Sequence, residues 1–196
     1  MTNFTDLVRL SVTRPQEAAR LVLSLRPTNA VILQGALLLA ILSVLLRDAL
    51  VAYTTSFSPD PVAVIYPPVY IDLAEQFFGV YLVSYLTVFL ARIFGISIPF
   101  ARSATIYIWY NLMLSIAGFV MVGGFLLLGG LGLVLSMAIG GWAIWAAAHF
   151  WAVLMGSDKL FFGFLLAVVP VILGSVITVM LAGMLGLPML EFANDV

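Results

Sequence analysis

Five long apolar runs occupy most of the sequence after its first 29 residues. A helix needs about 20 apolar residues to cross roughly 30 Å of hydrocarbon, and each run reaches that length. Of the 196 residues, 64% are hydrophobic and only 9% are charged, whereas about a quarter are charged in soluble domains. The sequence therefore predicts an all-α, polytopic membrane bundle with transmembrane helices over five ranges: residues 30–53, 74–94, 104–124, 131–155 and 161–187.

Glycine and proline mark where two of these helices should end or bend. The stretch "GGFLLLGG", residues 123–130, contains four glycines, which weaken a helix interior, so we expect the third helix to end there. Pro170 lies inside the fifth run and predicts a kink, because proline removes a backbone donor and crowds the preceding turn.

The basic residues are unevenly distributed around the five predicted helices. Lysine and arginine near the ends of spans are retained on the cytoplasmic side. With the N-terminus inside, Arg47 alone of the eight basic residues lies outside, which predicts a cytoplasmic N-terminus and an outer C-terminus. The seven cytoplasmic residues are Arg9, Arg14, Arg20, Arg26, Arg92, Arg102 and Lys159.

Three parts follow from this orientation. Residues 1–29 form a cytoplasmic amphipathic segment, residues 30–187 a five-helix transmembrane domain, and residues 188–196 a short tail on the outer side. The first apolar run starts too late and is too long for a cleaved signal peptide, so we expect it to be retained as an anchor.

The segment "TRPQEAARLVLSL", residues 13–25, is too polar to cross a membrane but has two distinct faces. A helix beginning at Pro15 separates its polar from its apolar side chains: Gln16, Glu17, Arg20 and Ser24 against Ala18, Leu21, Val22 and Leu25. This pattern predicts an N-terminal amphipathic interfacial helix whose arginines meet anionic lipid headgroups. A cytoplasmic cap packed on the bundle would bury the same face, and the pattern fits both placements equally.

The stretch "DLVRLSVTRPQEAARLVLSL", a short amphipathic segment with an internal proline ahead of five hydrophobic spans, resembles bacterial members of the Yip1 domain family. The resemblance implies a non-enzymatic five-span protein of the bacterial inner (plasma) membrane. Eukaryotic relatives are trafficking adaptors that associate with Rab-type GTPases, but this chain has no counterpart of their "DLYGP" motif. Rab binding is therefore not among the implied functions.

Two polar residues, Asn111 and His149, fall at similar depth on the third and fourth predicted helices. An unpartnered polar group in hydrocarbon is costly, so we expect a direct or water-bridged hydrogen bond between them. The alternative interpretation places both residues along the path of a small transporter or channel, because ionisable groups inside membranes often mark such pathways.

Small residues recur every four positions on the fourth and fifth predicted helices. Side chains of this size let backbones approach closely in lipid, so both stripes are predicted to face other helices. The residues are Gly132, Ser136 and Gly140 on the fourth helix, and Gly174, Thr178, Ala182 and Gly186 on the fifth.

Charged residues also lie near the outer ends of the first two spans. Asp72 and Glu75 are three apart, which predicts a capping box at the start of the second helix, with an outer cation site as the alternative. Arg47 lies close to the outer interface, where its guanidinium can meet a carboxylate.

The sequence contains few residues or motifs suited to catalysis or to metal binding. It contains no cysteine and one histidine, and it lacks nucleotide-loop, zinc-protease and serine-hydrolase motifs, so we expect no enzyme, no cofactor and no metal. Scattered basic residues and a net charge of -1 argue against nucleic acid as a partner. The expected function is that of a membrane interaction or scaffold protein that organises lipids, other membrane proteins or further copies of itself. A small transporter or channel is the alternative.

Overall fold

A computed structural model describes residues 3–57, 68–157 and 159–184 of the chain. These residues form seven α-helices and no strand. In chain order the helices are α1 (Phe4–Thr13), α2 (Pro15–Ser24), α3 (Asn29–Phe57), α4 (Val69–Ile93), α5 (Phe100–Leu128), α6 (Leu131–Leu154) and α7 (Leu160–Met184).

Five of the seven helices, α3 to α7, are long and apolar enough to cross a membrane. Large apolar side chains on their outer faces are about half exposed, as Leu37, Leu45 and Val176 illustrate. Lipid tails can cover such faces without cost, whereas water could not. The expected all-α membrane bundle is confirmed in this form, and the architecture is that of an integral membrane protein.

Two helix ends differ from the expectations. α4 begins at Val69 and not near residue 74, and α5 continues through Gly123 and Gly124 to Leu128. The third helix thus ends within the predicted stretch 123–130, but about four residues later than the expected bound at Gly124. A side chain on Gly124 would overlap Leu135 of α6, so the glycine serves close packing inside a continuous helix. The helix ends only at Gly129, whose positive φ of 53° suits glycine.

The spanning helices form a ring in the order α3, α4, α7, α6, α5, and α4 also contacts α5 across it. Gly163 of α7 lies close against the backbone of α6. A Cβ on Gly163 would overlap the carbonyl oxygen of Ala148 and lie 2.7 Å from the amide nitrogen of Ala152. α7 continues through Pro170, which is buried.

The two N-terminal helices belong to this bundle and do not stand apart from it. Arg14 separates α1 from α2, and Pro15 occupies the first position of α2, where its missing N–H costs nothing. α2 packs against α5 and α6, and α1 packs against α2 and α6. Ala18, Ala19 and Val22 are at most 1% exposed within the same apolar cluster as residues of α5 and α6.

Candidate functional site at the N-terminal helix pair

Two polar contacts fasten the N-terminal helix pair, α1 and α2, to the spanning helices. The side-chain amide of Gln16 lies 3.0 Å from Nδ1 of His149 on α6. The indole N–H of Trp109 on α5 donates to the hydroxyl oxygen of Ser11 at 2.9 Å, and that hydroxyl in turn donates to the Leu7 carbonyl. Each contact satisfies a polar group that would otherwise be costly against apolar surroundings.

Asn111 and His149 do not bond to each other in the part of the chain that the structure describes. Asn111 donates instead to the carbonyl of Tyr107 on its own helix at 2.9 Å, and His149 pairs with Gln16. The expected direct bond is absent, since an amide can bond the carbonyl one turn back without reaching a neighbouring helix. The rings of His149 and Trp145 also pack edge to face, with centroids 4.9 Å apart.

The residues named for the interfacial helix differ in their exposure. Ala18 and Val22 are buried against α5 and α6, so protein and not lipid covers that part of the apolar face. Arg20 and Leu25 are exposed, and Leu21 is half-buried. α2 is thus a packed cap along one face and open along the other.

A cavity of about 520 Å³ opens beside the exposed face of α2. The residues that line it include Arg20 of α2, Arg26 after that helix, Arg102 of α5 and Ser157 after α6. Arg26 has a positive φ of 43°, a conformation that non-glycine residues adopt uncommonly. Two arginines close in the chain and a third about 80 residues further on, Arg20, Arg26 and Arg102, thus bring positive charge to one end of the bundle.

An apolar pocket of about 270 Å³ is lined by residues on the face of α2 opposite to those that line this basic cavity. Its lining residues include Val22 of α2, Leu25 directly after that helix, Val31 of α3, and Ile108 and Trp109 of α5. Its wall is therefore formed by α2 together with the N-terminal parts of the spanning helices α3 and α5.

A third cavity, about 290 Å³, lies between α5, α6 and α7. Tyr107, Tyr110 and Asn111 supply its polar atoms, and apolar side chains such as Ile144 and Val168 supply the rest. Trp151, which also lines it, is 2% exposed, and its indole nitrogen has no hydrogen-bond partner among the described residues. His149 is not among the residues that line this cavity.

The two small-residue stripes are only partly in contact with helices. Gly132 lies against the Cα of Phe125, 2.9 Å from where its Cβ would be, and Gly174 lies against Val83 of α4. Gly140 faces open space, and the Ser136 hydroxyl bonds its own helix at Leu133, so the α6 stripe does not form one continuous seam. Thr178 is half-buried. The side chain of Ala182 and the whole of Gly186 lie outside the described residues.

Arg47 of α3 forms ion pairs with Asp48 and with Asp72 of α4. Asp72 is four residues into α4, whose N-cap is Pro68, so the capping box expected at Asp72 is wrong. The reason is that α4 starts a full turn earlier than the apolar run. Glu75 is exposed.

Neither a protein-family model nor a curated protein nor a solved structure matches the chain. The resemblance to the Yip1 domain family stays a prediction, based on residues 6–25 and the five-span arrangement.

Sequence reasoning used Arg26 and Arg102 only to orient the chain and did not place them in a site. Their shared cytoplasmic assignment was the available signal, since both fall at helix ends on one side of the membrane. Gly163 and the pairing of Ser11 with Trp109 were also missed, because neither stands out from its neighbours in the sequence.

Proposed function

We propose that this chain is a non-enzymatic, Yip1-like protein of the bacterial inner membrane that organises partner proteins or lipids through its N-terminal helix pair. The observation that carries the proposal is the asymmetry of α2. Ala18 and Val22 bury one face, and Gln16 bonds to His149 of α6, while Arg20 remains exposed. A surface held rigidly at a membrane boundary suits recognition because little conformational entropy is lost on binding.

The proposed orientation places this surface in the cytoplasm. Arg20, Arg26 and Arg102 meet around one cavity at the end of the bundle where α2 docks. Basic residues concentrated at one end of a bundle favour the cytoplasmic side for that end. Anionic headgroups of the inner leaflet would attract the same charges.

A matched pair of substitutions tests the proposal. Val22→Asp places a carboxylate at a position that is 1% exposed, whereas Val12→Asp places one at a position that is 49% exposed. We expect both variants to insert into membranes, because neither changes a spanning helix. Val22→Asp should detach the helix pair and lose the lipids or proteins that native mass spectrometry finds in stoichiometric amounts on the wild type. Val12→Asp should keep them.

Two results would overturn the proposal. One is an identical set of bound molecules on the wild type and on Val22→Asp, since the helix pair would then not be the binding surface. The other is solute uptake into liposomes that His149→Phe or Asn111→Ala abolishes. Uptake of that kind would identify a small transporter or channel instead.

A further inference from the structure

We propose that the basic cavity beside α2 binds the phosphate group of a phosphate monoester, carried either by a lipid headgroup or by a small soluble molecule. Arg20, Arg26 and Arg102, which line the cavity together, are its binding residues. The inference rests on the proposed function, in which the helix pair is a binding surface, and deepens it by naming the ligand class for one part of that surface.

The arginines of the cavity lack an acidic partner in the part of the chain that the structure describes. No aspartate or glutamate of that part lines the cavity, and the ion pairs within it use Arg14 and Arg47 instead. Glu17, one turn before Arg20, is paired with Arg14 at 3.3 Å. Asp158 lies outside the described residues. Like charges gathered without a counterion repel one another, so an anion in the cavity is favoured.

The helix that ends at the cavity does not need these arginines as caps. Arginine often bonds the last carbonyls of a helix. At the end of α6, however, the N–H of Gly156 donates to the Val153 carbonyl and the N–H of Ser157 donates to the Ala152 carbonyl, both at 3.0 Å. These two bonds form a Schellman motif, and Gly156 has the positive φ, 65°, that the motif requires. The backbone satisfies these carbonyls, so the guanidinium groups remain available to a ligand.

A hydroxyl group adds a further donor to the lining. The Ser157 oxygen accepts the backbone N–H of Lys159 at 3.1 Å, which leaves its own proton available for donation. Ser24 also lines the cavity, but its hydroxyl already donates to the Leu21 carbonyl at 2.6 Å. Phosphate oxygens accept hydrogen bonds from guanidinium and hydroxyl groups alike. The lining therefore offers an anion several donors from three separate elements.

Arg26 has a backbone conformation that arginine adopts uncommonly. Its φ of 43° lies in the left-handed region, where glycine is favoured. The chain nevertheless has an arginine at this position, and that arginine lines the cavity. Local strain of this kind is concentrated at ligand-binding positions. The strain at Arg26 therefore supports a binding role for its side chain.

The number of arginines favours a monoester over a diester. A phosphate monoester carries about −1.5 to −2 charges at pH 7 and three terminal oxygens, whereas a diester carries a single charge. Each guanidinium presents a planar fork of N–H donors that matches phosphate oxygens. The cavity volume of about 520 Å³ lies within the range of small-molecule sites, roughly 300–1,000 Å³. An organic phosphate therefore fits it better than the bare ion.

The site lies where both sources of a monoester are at hand. Arg26 comes three residues before α3 begins at Asn29, and Arg102 is in the first turn of α5. Both positions are at ends of spanning helices, which places the cavity at a membrane boundary. A lipid headgroup and a soluble phosphate can each reach such a position.

The test measures ligand binding to the purified full-length chain in detergent by native mass spectrometry. The probes are dioleoylphosphatidic acid, a monoester, dioleoylphosphatidylglycerol, a diester, and glycerol 3-phosphate, a soluble monoester. We expect one phosphatidic acid to bind about ten times more tightly than phosphatidylglycerol, the effect of one additional hydrogen bond to a charged group. Displacement of phosphatidic acid by millimolar glycerol 3-phosphate would support a soluble ligand, and the absence of displacement would support a lipid headgroup.

Matched variants locate the binding residues. The double variant Arg26→Gln/Arg102→Gln should remove the preference for the monoester. Arg92→Gln deletes an exposed charge in the last turn of α4, outside the cavity, and should keep it. Arg26→Gly should weaken phosphatidic acid binding several-fold and raise the Tm, because glycine adopts a positive φ without strain. Weaker binding by a more stable protein separates a binding role from a role in folding.

Four results would overturn the inference. Equal binding of phosphatidic acid and phosphatidylglycerol to the wild type would show that no monoester site exists. Equal losses from Arg92→Gln and from the double variant would indicate diffuse surface charge. A lower Tm for Arg26→Gly with unchanged binding would give Arg26 a structural role. Binding that appears only in Asp158→Asn would show that a carboxylate of the chain itself is the partner of the arginines.

The outcome can be separated from that of the proposed function. Defined ligands are added to purified protein in this test. The proposed function is judged instead by the molecules that copurify with the wild type and with Val22→Asp. The arginine variants can therefore fail to change phosphate binding while Val22→Asp still loses its partners, and the reverse result is equally distinguishable.

Discussion

The side chains of Gln16 and His149 meet at 3.0 Å although 133 positions separate them in the chain. This contact joins the N-terminal helix pair to α6, the fourth spanning helix, near the end of the bundle that we propose to be cytoplasmic. It gives the only histidine of the sequence a partner outside its own helix. The role of His149 is therefore tied to how the cap is held.

We expect Gln16→Leu to weaken docking of the helix pair by about 1 kcal/mol, the usual contribution of one such hydrogen bond. His149→Phe should have a similar effect, and the double variant should cost less than the sum of the two. The measurement is the rate of proteolysis within residues 3–25 in membranes, analysed as a double-mutant cycle. Ser24→Ala is the control, because the Ser24 hydroxyl bonds only its own helix at Leu21. Additive single effects would show that the two side chains do not interact.

Gly163→Ala should destabilise the bundle by about 2 kcal/mol or more, because the added methyl group meets the backbone of α6, which cannot move aside as a flexible side chain can. Gly140→Ala is the matched control, since a Cβ there meets nothing within 4 Å. The midpoint of unfolding in mixed detergent micelles measures both. A Gly163→Ala variant as stable as Gly140→Ala would contradict the close approach of α6 and α7.

Asp72→Asn should lower the stability by about 1–2 kcal/mol, because it removes the ion pair between Asp72 and the partly buried Arg47 and keeps the pair with Asp48. This magnitude lies between those of exposed and buried ion pairs. Glu75→Gln, one turn further along α4 and exposed, should have little effect. Thermal unfolding in detergent distinguishes this arrangement from a capping box, in which both substitutions would matter. Raising the salt concentration should reduce the difference between the two variants.

Single-cysteine labelling tests the proposed orientation, and the absence of native cysteine makes the background low. In intact spheroplasts a membrane-impermeant maleimide should label Tyr70→Cys, at the exposed start of α4, but not Arg14→Cys, which is exposed between α1 and α2. Permeabilisation should make Arg14→Cys reactive. The opposite pattern would place the basic cavity outside the cell.

The spanning helices were predictable because hydrocarbon selects for long apolar runs whatever the neighbours are. The buried positions of α2 were also predictable from the sequence, since Ala18 and Val22 follow helical spacing on one face. Whether protein or lipid covers that face could not be predicted from the sequence. It depends on the surface that α5 and α6 present, which no local pattern encodes.

The errors share a physical origin. Equal depth suggested that Asn111 meets His149, but depth does not specify the direction in which each side chain points around its helix axis. The glycines at 123 and 124 were interpreted with propensities measured in water. Within a bundle, close packing against Leu135 makes the absence of a side chain an advantage. The basic cavity was missed for a related reason, because Arg20 and Arg102 become neighbours only when α2 folds back onto α5.

The short link between α2 and α3 limits how far the cap can move. Only residues 25–28 separate the two helices, and four extended residues reach about 14 Å at most. A cap pulled away from α6 would therefore remain tethered beside the start of the first spanning helix, and force applied to it would be transmitted to that helix through Arg26 and Pro27. Any molecule that binds the N-terminal helix pair is therefore held within about 14 Å of the start of α3, close to the bilayer surface.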